Sequence, residues 1–211
     1  MSDTLFAAFA NYAEEKGKRF FATFGTTETT ARLAFLAPEK AAQKIGSIGK
    51  AIPEGKLYLV DENGIQIHEP DREGELIYEG PNVTMGYATC IEDLTKGDEF
   101  CGVYHTGDIA KMDEDGCFYI VGRMKRFLKL FGLRVSLDQS ERIISEHFGI
   151  ECACTGDDTK MKIFITKEEL KEEVKKLISE KTGLISTSFE VSYIESIPRF
   201  ESGKINYKQL N

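Results

Sequence analysis

The sequence predicts an α+β fold in two successive parts, residues 1–124 and residues 125–211. Its 211 residues, of which 41% are hydrophobic, suffice for one or two globular domains with their own cores. Short apolar runs separated by tight turns fill the first part, which favours strands. Clear helical patterns follow Arg126, which favours a smaller α+β unit there.

The first part opens with a predicted helix that ends at Gly17, before a strand-like stretch at 19–23. Two hairpins are predicted farther on, with turns at 61–64 and 113–116, and an alternating strand is predicted at 74–80. The acidic turn at 113–116 lacks the twelve-residue loop of a calcium site, so turn chemistry is favoured there. The apolar face of the opening helix comprises Leu5, Phe6, Phe9, Tyr12 and Ala13.

The second part carries two predicted helices. Ser136 followed by Gln139 forms a capping pattern for a helix that ends at Gly149. Thr166 with Glu169 repeats the pattern for a helix that ends before Gly183. The apolar positions of the second helix form one face and comprise Leu170, Val174, Leu177 and Ile178.

Composition gives little support to a membrane span or a nucleic-acid partner. No apolar run approaches the roughly 18 residues that a span needs. Residues 1–125 hold 13 Lys and Arg against 21 Asp and Glu, and residues 126–211 hold 14 of each. No basic stripe is therefore present to neutralise nucleic-acid phosphates.

The five cysteines are scattered and odd in number, which favours free thiols in a reducing cytoplasm. Cys152 and Cys154 fall on one face of a predicted strand without a second ligand pair, so they are interpreted as small buried residues rather than zinc ligands. The start of the chain lacks a basic segment and a signal-like apolar core, so a cytoplasmic location is expected.

Four short motifs carry most of the functional information. They are FGTTE at 24–28, YHTGD at 104–108, a Gly-Arg pair at 122–123 that leads to GLR at 132–134, and SGK at 202–204. Each alone is weak, because such residues commonly form turns. In this order, with 80 positions from Glu28 to Asp108 and 81 from Arg123 to Lys204, they resemble the second half of AMP-forming acyl- and aryl-CoA synthetases and peptide-synthetase adenylation domains.

The resemblance assigns the first motif to the nucleotide. It implies that Phe24 packs on adenine beside Gly25, that Thr27 hydrogen-bonds the α-phosphate of ATP, and that Glu28 helps to hold Mg²⁺. Many family members have tyrosine at the aromatic position, so stacking is retained here without a phenolic hydroxyl. Residues 1–124 would then be the C-terminal portion of the large AMP-binding domain.

Two further residues are implied as ribose contacts. The two oxygens of Asp108 suit a vicinal diol, since a carboxylate accepts charge-assisted hydrogen bonds from both hydroxyls. Arg123 matches the second contact. The hairpin between them is expected to bring its two ends together.

Residues 125–211 resemble the mobile C-terminal lid of the family. Lys204 matches the cation that neutralises the acyl carboxylate and the phosphate during adenylation, an electrostatic role. Lys129 and Gly132 resemble positions that serve thioester formation, near the reacting ester and beside the passage of a pantetheine arm. Lys125 matches the hinge about which the lid rotates.

The implied reaction is ATP-dependent acyl-adenylate formation from a small carboxylic acid, followed by thioester formation with coenzyme A and release of AMP. Carrier-protein phosphopantetheine is the alternative acceptor, as in D-alanine or amino-acid carrier-protein ligases. The 23 residues before Phe24 lack the family's phosphate-wrapping loop. The chain is therefore expected to be a fragment that is inactive alone and paired with a separate upstream half; a non-catalytic binding fragment is the alternative.

Overall fold

The computed structural model describes residues 2–210 and has the predicted α+β class. The chain divides into two compact units, Met1–Val121 and Gly122–Asn211. The helices are α1 (Asp3–Glu15), α2 (Leu137–Phe148) and α3 (Lys171–Thr182). The strands are β1 (Ala22–Phe24), β2 (Ala34–Leu36), β3 (Ser47–Ala51), β4 (Lys56–Val60), β5 (Gln66–Ile67), β6 (Gly74–Glu79), β7 (Val103–Met112), β8 (Phe118–Arg123), β9 (Phe127–Leu130), β10 (Leu133–Ser136), β11 (Cys152–Asp157), β12 (Lys160–Ile165) and β13 (Phe189–Tyr193).

The first unit is built on an eight-stranded sheet in the order β1-β2-β3-β8-β7-β6-β4-β5. Both predicted hairpins are confirmed: β4 pairs antiparallel with β5, and the backbone N–H of Asp113 donates to the Cys117 carbonyl at 2.9 Å. The Asp113 carboxylate accepts hydrogen bonds from the N–H groups of Asp115 and Cys117, which accounts for the acidic turn. One buried cluster comprises Leu33, Ala34, Ile48, Leu59, Ile67, Leu76, Tyr78, Ala110 and Phe118.

Helix α1 ends as predicted, with Gly17 at φ +59°, but its predicted apolar face is wrong in part. The buried residues are Phe6, Ala10 and Ala13. The small alanines let the helix approach the layer beneath, where Phe6 and Ala10 join a cluster with Leu36 and Cys117. Leu5, Phe9 and Tyr12 are 47%, 48% and 55% exposed. The strand expected at 19–23 forms only from Ala22, as β1.

The second unit combines the β9–β10 hairpin with a three-stranded sheet ordered β11-β12-β13. Helix α2 begins as predicted, because the Ser136 hydroxyl accepts from the Gln139 N–H at 3.2 Å, and it ends at Gly149 with φ +64°. The core joins both helices to the sheet through buried residues that include Ile144, Met161, Ile163, Ile165, Val174, Ile178 and Phe189.

The predicted start of α3 is wrong. A short 3-10 segment, Glu168–Leu170, precedes α3, and the first residue of α3 is Lys171. The N-cap residue of α3 is Leu170, without a side-chain cap hydrogen bond, and the Thr166 hydroxyl donates to the Glu151 carbonyl at 3.3 Å. The predicted apolar face is confirmed for Val174, Leu177 and Ile178, which are buried, and Gly183 ends the helix with φ +72°. No helix in the described part of the chain is long and apolar enough to cross a membrane.

Candidate functional site

The FGTTE motif forms a tight loop directly after β1. Its closing hydrogen bonds run from the Ala31 N–H to the Thr26 carbonyl at 3.1 Å and from the Leu33 N–H to the Phe24 carbonyl at 2.9 Å. A Cβ added at Gly25 would lie 2.0 Å from the Ala31 carbonyl oxygen, so only glycine fits this crossing. Phe24 is half-buried and packs against the sheet core.

Asn82 clamps this loop from a distant part of the chain. Its amide nitrogen donates to the carbonyls of Thr29 at 2.6 Å and Arg32 at 2.9 Å, and its side-chain oxygen accepts from the buried Tyr78 hydroxyl at 2.6 Å. The Thr30 hydroxyl donates back to the Asn82 carbonyl at 2.9 Å. The loop conformation is therefore set by side-chain hydrogen bonds as well as by its own turn.

Glu28 lies on this loop with its carboxylate held by Tyr87. The Tyr87 hydroxyl donates to Glu28 Oε1 at 2.7 Å, and the Thr84 N–H donates to the Glu28 carbonyl at 2.7 Å. The tyrosine hydrogen bond lowers the pKa of Glu28, with smaller contributions from Thr26 and Tyr104, and the same bond raises the pKa of Tyr87 to about 12. The proton stays on the phenol and the negative charge on the carboxylate.

The YHTGD motif lies in β7 at a β-bulge. Ile77 pairs with His105 and Glu75 pairs with Ile109, so three residues of β7 face Leu76 alone. Gly107, in the middle of the bulge, has φ +68°. The Thr106 hydroxyl donates to the Leu76 carbonyl at 2.7 Å and accepts from the Asp108 N–H at 3.0 Å. The bulge thereby sets the direction of Asp108, which is 2% exposed.

In the second unit, the Gly-Arg motif leads into a single 3-10 turn, Met124–Arg126. Lys125 is exposed on this turn, between β8 and β9. The Arg123 N–H donates to Asp138 Oδ2 at 3.2 Å, which ties the start of the turn to α2. The exposed turn fits the predicted hinge position of Lys125, which stays a prediction.

Arg126 leaves the same turn and enters a buried ionic cluster. Its guanidinium donates to Asp138 Oδ1 at 2.8 Å, to Glu141 Oε1 at 2.6 Å and to the Cys154 carbonyl at 3.0 Å. Its Cζ also lies 3.8 Å from the centroid of the Tyr207 ring. Burial raises the pKa of Glu141, and Arg126 partly offsets that effect.

Lys129 and Gly132 lie on and beside the β9–β10 hairpin turn. Phe131 and Gly132 both have positive φ, +50° and +85°, as a two-residue hairpin of the favoured twist requires. A Cβ added at Gly132 would meet no atom within 4 Å, so backbone conformation accounts for this glycine. Lys129 is exposed, and its N–H donates to Asp158 Oδ1 at 2.8 Å.

Lys204 follows a tight turn near the end of the chain. The Phe200 N–H donates to the Lys204 carbonyl at 2.9 Å, and the Gly203 N–H donates to the Phe200 carbonyl at 2.8 Å. Arg199 and Ile205 form an antiparallel bridge across the turn. The Lys204 side chain is exposed and can reach a ligand in solution.

The structure brings some predicted residues together and adds others. Glu28 is joined by Tyr87 and by Tyr104 of the YHTGD motif, and the sequence indicated a role for neither tyrosine. Residue spacing alone gives no signal for a contact across the 59 positions between Glu28 and Tyr87. The cluster of Arg126, Glu141 and Tyr207 was also missed, although Arg126 directly follows the predicted hinge lysine.

A separate groove of about 770 Å³ lies in the first unit, and its lining includes Lys50, Lys56, Tyr58 and Glu79. None of the predicted site residues lines this groove.

Comparison with known proteins gives consistent matches. The model of the AMP-binding enzyme family matches residues 1–88. A 2-succinylbenzoate–CoA ligase of Bacillus thuringiensis subsp. konkukian is 29% identical over 204 residues, which cover 93% of this chain and 42% of that protein. An oxalate–CoA ligase of Arabidopsis thaliana is 30% identical over 182 residues, 80% of this chain and 34% of that protein.

The fold has a close counterpart among solved structures. An O-succinylbenzoate coenzyme A synthetase from Bacillus subtilis, in complex with ATP and magnesium ion, superposes with a TM-score of 0.73 at 23% identity. The match covers 95% of this chain and 43% of that one. The chain thus spans about 42% of the length of the first curated relative that it matches.

Proposed function

Because this chain belongs to the family of AMP-binding enzymes, we propose that it forms part of an ATP-dependent ligase that activates a carboxylic acid. The ligase would form an acyl-adenylate and then pass the acyl group to the thiol of coenzyme A, with release of AMP. Its curated relatives carry the names of CoA ligases for two different acids, which supports the reaction class and leaves the acid open. The observation that carries the proposal is the Glu28 carboxylate, held ionised on a loop that Asn82 and Tyr87 fix in place.

Glu28 suits a magnesium ion that arrives with the nucleotide. Mg²⁺ prefers oxygen ligands and is commonly held by one or two carboxylates together with substrate phosphates. The half-buried carboxylate offers such an oxygen at a lowered pKa. When bound, the ion would neutralise phosphate charge as pyrophosphate leaves. Thr27, exposed beside Glu28, would donate its hydroxyl to the α-phosphate.

Different residues would bind the adenine base and the ribose of the nucleotide. Phe24 and Gly25 would border adenine. Gly25 has no side chain where the loop backbone passes close to the Ala31 carbonyl. Asp108 would accept from the ribose hydroxyls, and the bulge at Gly107 fixes the direction from which it does so. Arg123 would make the second ribose contact.

The second unit would supply the Lys204 cation for the reaction and a hinge at Lys125. Lys204, exposed after its turn, would neutralise the carboxylate and phosphate as they react, without reorganisation of the turn. Lys129 and Gly132 would serve thioester formation. Lys125 would be the hinge, since an exposed 3-10 turn can change by a few backbone angles.

Acid-dependent exchange of pyrophosphate into ATP, over a panel of carboxylic acids, tests this function. The chain alone is expected to show no appreciable exchange, because it spans about 42% of the length of the first curated relative that it matches. Combined with a polypeptide that supplies the remaining part of its relatives' length, it should catalyse exchange with some acid. Robust exchange by the chain alone, or none with any acid in the combined protein, would contradict the proposal.

Lys204→Ala in the combined protein should lower the exchange rate by about a hundred- to a thousandfold, because it removes a cation that acts in the transition state. Lys208→Ala is the matched control, since Lys208 is also exposed and lies four positions later. Equal effects of the two substitutions on the exchange rate would show that Lys204 has no specific role in the reaction.

A further inference from the structure

The turn that carries Lys204 is anchored on two sides. On the exposed side, the Arg199 guanidinium donates to the Gly203 carbonyl at 2.8 Å and to Glu151 Oε1 at 2.9 Å. The side chains of Arg199 and Glu151 are 41% and 59% exposed. Exposed ion pairs contribute little, because water competes for both charges. This anchor alone holds the turn weakly.

The second anchor is Tyr207, three residues after Lys204. Its hydroxyl donates to Glu141 Oε2 at 3.0 Å, and its ring lies under the Arg126 guanidinium at 3.8 Å. The side chains of Arg126 and Glu141 are 14% and 15% exposed, so these contacts form largely away from water. A hydrogen bond to a charged acceptor in such a place is among the stronger ones.

The partners of Tyr207 are themselves fixed. The other oxygen of Glu141 accepts from Arg126 and from the Cys154 N–H at 2.7 Å. Arg126 directly follows Lys125 on the 3-10 turn. One buried cluster therefore holds the turn at Lys125 and the segment that follows Lys204 to the same helix and strand.

We infer that Tyr207 is a positioning residue for Lys204, and that Glu141 and Arg126 are the fixed points against which it holds the Lys204 turn. The part of this inference that concerns catalysis rests on the proposed function of Lys204. The consequence is that the lysine moves with the turn at Lys125 as one body, because both are tied to α2 and β11. Loss of the tyrosine hydroxyl would loosen the Lys204 turn while the core of the unit stays intact.

Hydrogen exchange by NMR on the ¹⁵N-labelled chain, as wild type and as Tyr207→Phe, tests the anchor. The variant loses one hydroxyl and keeps the ring beneath Arg126. The amides of Phe200, Gly203 and Asn206, which bond within the turn region, should exchange about tenfold faster or more. The amides of Val174 and Ile178 in α3 should keep their rates, which separates positioning from general destabilisation.

Two variants serve as controls. Tyr193→Phe removes the hydroxyl of an exposed tyrosine in the same unit and should change no rate. Arg199→Ala removes the exposed anchor and should accelerate the turn amides by less than about fivefold. The inference is overturned if Tyr207→Phe leaves the turn amides unchanged, accelerates the α3 amides equally, or unfolds the unit.

Catalysis is tested separately in the combined protein. Tyr207→Phe should lower kcat for adenylation while KM for ATP stays the same, because the tyrosine acts on Lys204 and not on the nucleotide. If the turn amides accelerate but Lys204→Ala leaves exchange intact, the anchor stands and the proposed function of Lys204 fails. If Lys204→Ala abolishes exchange while Tyr207→Phe changes neither kcat nor the amides, the anchor fails and the function stands.

Discussion

The two units each contain a glutamate that accepts a hydrogen bond from a tyrosine hydroxyl, and the two pairs differ in nearly every other respect. Glu28 lies on a surface loop with Tyr87, which is 59% exposed, at a hydroxyl to carboxylate distance of 2.7 Å. Glu141 lies beneath the C-terminal segment, where its Oε2 accepts from the Tyr207 hydroxyl at 3.0 Å. The Arg126 guanidinium neutralises the Glu141 carboxylate. The pKa is lowered for Glu28 and raised for Glu141.

The difference separates a carboxylate that can serve a ligand from one that serves the fold. Glu141 accepts hydrogen bonds on both oxygens from three groups of the protein, so it has little capacity left for a ligand. Hydrogen bonds, above all the one from Tyr87, lower the pKa of Glu28 and so favour its ionised form. A negative charge held in this way can accept a cation from outside.

Arg126→Ala should have the largest effect on the buried pair. It leaves Glu141 without its cation, which typically costs about 3–5 kcal/mol of unfolding free energy. Chemical denaturation with probes in each unit measures the loss. We expect it in the second unit, with the first unit unchanged.

The double variant Arg126→Met with Glu141→Leu is the matched control. Replacing both charges by apolar side chains often restores stability, because no charge is left buried alone. Recovery of most of the lost free energy would show that the cost comes from the orphaned carboxylate. A double variant as unstable as Arg126→Ala would contradict that explanation.

Thiol labelling at pH 8 sharpens the same contrast. The Cys152 thiol donates to the backbone carbonyl of Glu141 at 3.3 Å. Burial raises the pKa of this thiol from an ordinary 9 to about 11. A pKa of about 11 leaves little thiolate at pH 8, and burial restricts access to the sulfur, so Cys152 should react much more slowly than the exposed Cys90 and Cys101. Mass spectrometry after timed quenching identifies the modified residues. Rapid labelling of Cys152 in the folded protein would show that the cluster is open to solvent.

Tyr87→Phe should have the smallest effect on stability. The bond to Glu28 is formed near solvent, and water can replace the lost donor, so the expected loss is under about 1 kcal/mol. Denaturation midpoints of Tyr87→Phe and Tyr207→Phe, measured side by side, compare the two pairs directly. A larger loss for Tyr87→Phe would reverse the assignment of the two roles.

Much of the local structure was predictable, because it depends on residues close together in sequence. The ends of α1 and α2 follow from Gly17, Ser136 and Gly149, and both hairpins follow from their turns. Thr166 shows the limit of such patterns. It has the spacing of a cap, but α3 begins only at Lys171, and the Thr166 hydroxyl donates to the carbonyl of Glu151, 15 positions away.

The parts that could not be predicted depend on contacts between distant segments. Asn82 reaches the FGTTE loop across 50 or more positions, and Tyr207 reaches Glu141 across 66. No local period indicates such a pair. The apolar face of α1 was misjudged for a similar reason, since which side is buried depends on the layer beneath. The motif residues were found from their resemblance to a family, and their roles remain proposals.

The pH dependence of the two pairs has opposite sign. A lowered pKa means that Glu28 contributes stability above its unfolded pKa of about 4.5, and that this contribution is lost as the pH falls through the folded value. A raised pKa means that the folded state favours protonated Glu141, so its contribution is present below about 4.5 and is lost as the pH rises through the folded value.

Titration of the glutamate carboxyl carbons by ¹³C NMR, on the folded chain, tests the central contrast most directly. Assignment is made with Glu28→Gln and Glu141→Gln. We expect a pKa below the ordinary value for Glu28 and above it for Glu141, and Tyr87→Phe should move the Glu28 pKa upward. Shifts in the same direction for the two residues, or a Glu28 pKa that does not respond to Tyr87→Phe, would show that the two glutamates do not differ in this way.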